Sequence, residues 1–88
     1  MDPTVEKMGA QLMLWARKIS RLADKAHNAG GTARFEEIVR VDELKALHAI
    51  AQSKFDEFGR AQGARRADLK DELTSAWNEL DLALKAPH

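Results

Sequence analysis

A chain of 88 residues bounds a single domain with a small core, one that partners or self-association readily supplement. Its 14 basic residues balance 14 acidic ones, which excludes a global field drawing it toward nucleic acid or an anionic membrane. Without cysteine there is no disulfide framework, thiolate nucleophile or cysteine-containing zinc site.

Helix signals begin at the N-terminus. Asp2 is expected to cap a first helix with Pro3 at its first position, where the missing N–H costs nothing. Beyond it Met8, Leu12, Trp15, Ile19, Leu22, Ala26, Ala29 and Ala33 recur in steps of three and four, a seam of the coiled-coil type. Glu6, Lys7, Arg17, Lys18, Arg21, Asp24 and Lys25 fall on the other side, together with the two apolar exceptions Met13 and Leu14. The opening run MDPTVEKMGAQLMLWARK lacks the basic-then-apolar order of a secretion signal, and no apolar run reaches transmembrane length. A cytoplasmic location is the expectation.

A second segment repeats the spacing at Val41, Leu44, His48, Ala51, Phe55 and Phe58, with Leu47 and Ile50 widening the stripe as a helix with two neighbours requires. The third carries Leu69, Leu73, Ala76, Trp77, Leu80, Ala83 and Leu84, with Asp68, Asp71 and Glu72 toward its start, Lys85 at its end and Pro87 discouraging continuation. No stretch alternates as a strand would, so the class is all-α.

Between the first two segments lie Gly30 and Gly31. In a turn, Gly30 takes the left-handed position and Thr32 caps the next helix; within a continuous helix the two glycines would cost about 1 kcal/mol each relative to alanine. A turn also gives Phe35, Ile38 and Val39 a chain reversal to bury against. Ala29, Ala33, Glu37 and Val41, however, continue in steps of four and keep a straight helix in play. The expected architecture is an antiparallel three-helix bundle or coiled coil with helices over about 3–29, 32–59 and 65–85. The alternative is one long helix with a short antiparallel return helix, which would be dimeric and form a rod about 80 Å long.

The run ARFEEIVRVDELKALHAIAQSKFDEF (Ala33 to Phe58), the later DLKDELTSAWNEL (Asp68 to Leu80) and the early LWARKISRLADKA together resemble a family of small bacterial coiled-coil proteins, often labelled stress-induced or simply hypothetical. Glu37 stands where that family usually has an aromatic residue and Arg66 where it has a second tryptophan. Its members tend to lack the glycine pair, and many read as a long helix with a shorter return. The resemblance implies a helical, self-associating protein and no catalytic residue, cofactor or substrate.

Candidate chemistry is sparse. His27 and His48 are not spaced to place two metal ligands on one helical face, and a turn at Gly30 leaves His48 about 25 Å along its helix at roughly 1.5 Å per residue. The pairs Glu36–Glu37, Asp42–Glu43, Asp56–Glu57 and Asp71–Glu72 splay around their helices instead of converging as acid–base catalysis needs. Arg60, Arg65, Arg66 and Lys70 form a basic cluster, but acidic side chains interleave with it and no base-stacking aromatic is near, which favours a solvated loop over a nucleic-acid site. No metal site and no cofactor is expected.

The reading that remains is a non-catalytic interaction or assembly module. Its seam is Trp15, Ile19 and Leu22 on the first helix, Leu44, Phe55 and Phe58 on the second, and Leu73, Trp77 and Leu80 on the third. Its partner would be another copy or a helical protein. The rival from a different class is reversible membrane or lipid association through the first helix, whose Trp/Leu/Met and Lys/Arg sides suit an interface.

Overall fold

The computed structural model describes residues 3–86, and of residues 3, 4, 32 and 33 the backbone alone. Three helices follow one another, α1 (Pro3–Asn28), α2 (Gly31–Arg60) and α3 (Gly63–Lys85). They fold back and forth into an antiparallel bundle measuring 51 × 19 × 18 Å. Its long dimension matches one helix of α2's length at about 1.5 Å per residue, so the continuous rod does not form. The Asp2 cap lies outside the described residues.

Both reversals use one local solution. In the first, Gly30 is extended (φ −107°, ψ 161°) and Gly31 opens α2 with φ 66°. In the second, Ala61 and Gln62 are extended and Gly63 opens α3 with φ 63°. The left-handed position therefore belongs to Gly31, not to Gly30 as the sequence suggested, and Gly30 occupies the cap position assigned to Thr32. The reason is visible in the second turn. There Gln62 stands where Gly30 stands in the first, because an extended residue needs no special freedom, whereas the next residue is glycine in both turns since a positive φ crowds any Cβ.

The helices pack because each seam finds a neighbour. Leu12, Ile19 and Ala26 of α1, Val41, Leu44 and Ala51 of α2, and Ala76, Leu80 and Leu84 of α3 form the buried core. α2 is the central member and touches both others along its length. Among the described residues no Cα of α1 comes within 8 Å of one in α3. That third seam is closed by side chains instead: the Trp15 and Trp77 rings lie 4.7 Å apart at 52°. Tilted aromatic pairs at such distances contribute about 0.5–1.5 kcal/mol beyond the area they bury.

Two polar side chains fix the sliding of the helices. His48 donates from Nε2 to the Leu12 carbonyl of α1 at 2.8 Å, a bond that requires the Nε2–H tautomer or the imidazolium. Arg40 donates from Nη2 to the carbonyls of Ala83 (2.8 Å) and Ala86 (2.9 Å), satisfying acceptors that the end of α3 leaves without helical partners. Among the described residues its Nε is buried without a partner.

Candidate interaction surfaces

Packing inside the chain consumes the expected seam. Ile19, Leu44, Leu73 and Leu80 are buried, while Trp15, Leu22, Phe55, Phe58 and Trp77 are half-buried at the edges of the core. Trp15 and Trp77 border a shallow groove between α1 and α3, shared with Lys7, Met8, Gln11 and Asp81.

Apolar surface is instead left on the outer side of α2. Phe35, Val39 and Ile50 are 70 %, 42 % and 49 % exposed. At 3.6 residues per turn they share one stripe with Ala46, roughly opposite Leu44 and Ala51. The expected burial of Phe35, Ile38 and Val39 against the reversal holds only for Ile38, which packs on the core. The turn is too tight to cover the others: Ala26 and Ala29 ahead of it are small, and among the described residues no third segment reaches the far side of α2 there. Ile50 likewise fails to widen the buried stripe, whereas Leu47 does. Met13 and Leu14 on α1 are exposed, on the side away from the core.

Two members of the basic cluster, Arg65 and Arg66, are engaged locally. The Arg66 guanidinium sits 4.0 Å from the Phe58 ring centroid and donates to the Phe58 carbonyl at 2.9 Å, capping the end of α2. Across the α2–α3 seam Arg65 pairs with Glu57 at 3.4 Å and Lys54 with Glu72 at 3.3 Å, and within α3 Arg65 also lies 3.6 Å from Glu72. Arg65 and Arg66 thus tie the second turn together, while Arg66 and Lys70 also line a groove shared with Val5, Met8, Phe58 and Leu73.

His27 and His48 both line an open groove between α1 and α2, alongside Asp24 and Lys45. His48 lies level with Leu12, so His27 is about 22 Å further along α1 at roughly 1.5 Å per residue. Among the described residues no group of three or more His, Asp or Glu side chains is placed to hold a metal ion. Nor is any helix long and apolar enough to cross a membrane.

His48 sits on the seam as its spacing placed it, but its acceptor and the whole role of Arg40 were not legible in the sequence. Arg40 and His48 each meet the residue equidistant along the chain from the intervening turn, Ala83 and Leu12 respectively. Counting outward from the turns would have paired them, but only after the turns had been placed. No family model matches this chain, and no curated protein or solved structure shows significant similarity to it.

Proposed function

We propose that this chain is a non-catalytic helical interaction or assembly module that acts through outward-facing helix surfaces, in the cytoplasm. The observation that carries this reading is the Phe35–Val39–Ile50 stripe, large apolar side chains left on a helix whose opposite side already completes the core. A bundle this small has little stability to spare, and exposed apolar groups in line along one helix favour binding over folding. The resemblance to small self-associating coiled-coil proteins supports it as well.

Reversible lipid association through α1 is the second reading, favoured by exposed Met13 and Leu14 beside Arg17, Lys18 and Arg21. It is weaker because Leu12, Ile19 and Ala26, the main apolar side of α1, are committed to the core and would have to leave it to enter a bilayer.

A photocrosslinking amino acid placed at position 39, in cells of the source organism, separates these readings. Protein adducts are expected. Adducts to lipid alone, or vesicle co-sedimentation that survives physiological salt, would move the function to the membrane surface. Absence of any protein adduct would remove the interaction module.

A further inference from the structure

Two exposed helix faces carry the same spacing of side chains with opposite charge. On α1, Leu14 is followed three and four residues later by Arg17 and Lys18; on α2, Val39 is followed at the same intervals by Asp42 and Glu43. All six side chains are exposed, and the four charged ones take part in no salt bridge among the described residues. Helical geometry puts each trio on one side of its helix, the apolar residue flanked by its two charges. Both sides face away from the core.

We infer that the molecule associates head to tail with itself, the Leu14–Arg17–Lys18 face of one copy lying parallel on the Val39–Asp42–Glu43 face of the next. This rests on the interaction-module reading and names the partner as a second copy of this chain. With Leu14 level with Val39, Ala10 falls opposite Phe35, a small residue against a large one, and Arg17 and Lys18 run alongside Glu43 and Asp42. The competing arrangement, α2 against α2 in antiparallel, fails on charge. Setting Phe35 against Ile50 of the other copy brings Asp42 against Glu43, like charges in direct opposition. Because two different faces meet, the contact is heterologous: it extends into rings or open chains and does not stop at a symmetric dimer. Its charged rim is exposed and therefore screened by salt.

Sedimentation velocity over a concentration series tests this. The wild type is expected to gain mass with concentration in low salt, with association weakened about tenfold or more in roughly 0.5 M salt. Arg17→Glu/Lys18→Glu and Asp42→Lys/Glu43→Lys, with helical circular dichroism unchanged, should each stay monomeric. Their equimolar mixture should associate, since each reversed face then meets its complement. Leu14→Ser, which alters no charge, should weaken association in the same series. A wild type that stays monomeric, variants that associate as the wild type does, or a mixture that remains monomeric would each overturn the inference. Should position 39 crosslink to a different protein while the wild type stays monomeric, this inference falls and the interaction-module reading stands; without any protein adduct both fall.

Discussion

On the inner side of α2, Leu44 and Ala51 are shut away from solvent by both neighbouring helices; on the outer side of the same helix, Phe35, Val39 and Ile50 stand largely uncovered. The two sides are made of similar residues and differ in what surrounds them. Apolar character at helical spacing therefore marks a surface that some partner will cover, and the number of helices in the chain decides whether that partner is internal. Three helices cover the inner side. None of the described residues covers the outer one.

If that division holds, substitutions should sort by side. Leu44→Ala removes a side chain that is 1 % exposed and touches the centre of the core, so a loss of about 3–4 kcal/mol is expected in denaturant unfolding. Trp77→Ala should cost less, about 2 kcal/mol, because the ring is half-buried and gives up mainly its packing on Trp15. A loss as large as that of Leu44→Ala would show that the α1–α3 seam is as closed as the other two. The turns sharpen the picture further. Gly31→Ala forces a Cβ into a left-handed backbone and should destabilise by about 1 kcal/mol. Gly30→Ala meets no neighbour within 4 Å and sits in extended backbone, so it should change stability by less than about 0.5 kcal/mol. Equal losses at both glycines would mean that the first turn does not share the geometry of the second.

The sequence showed the bundle's plan through its seams, because a three-and-four repeat survives whatever the partner is. It did not show which of two adjacent glycines turns left-handed, since composition at Gly30 and Gly31 is identical. The discriminating signal was elsewhere in the chain, in the glutamine at position 62 ahead of Gly63. The outer stripe was harder still. Periodicity set Phe35 and Val39 on the side opposite Leu44, and it was the chain reversal that was expected to bury them; their exposure follows from how tightly Ala29 and Gly30 turn. The role of Arg40 and the acceptor of His48 were illegible for a related reason: both bonds join residues far apart in sequence, and only the place of His48 on the seam was marked by its spacing.

The division of α2 into a folding side and a binding side is tested most directly by the unfolding free energy of the double variant Val39→Ser/Ile50→Ser, measured by denaturant titration at a dilution where the wild type is monomeric. Because both side chains are outside the core, stability should stay within about 0.5 kcal/mol of the wild type. A loss above about 2 kcal/mol would place the stripe inside the fold and contradict the division.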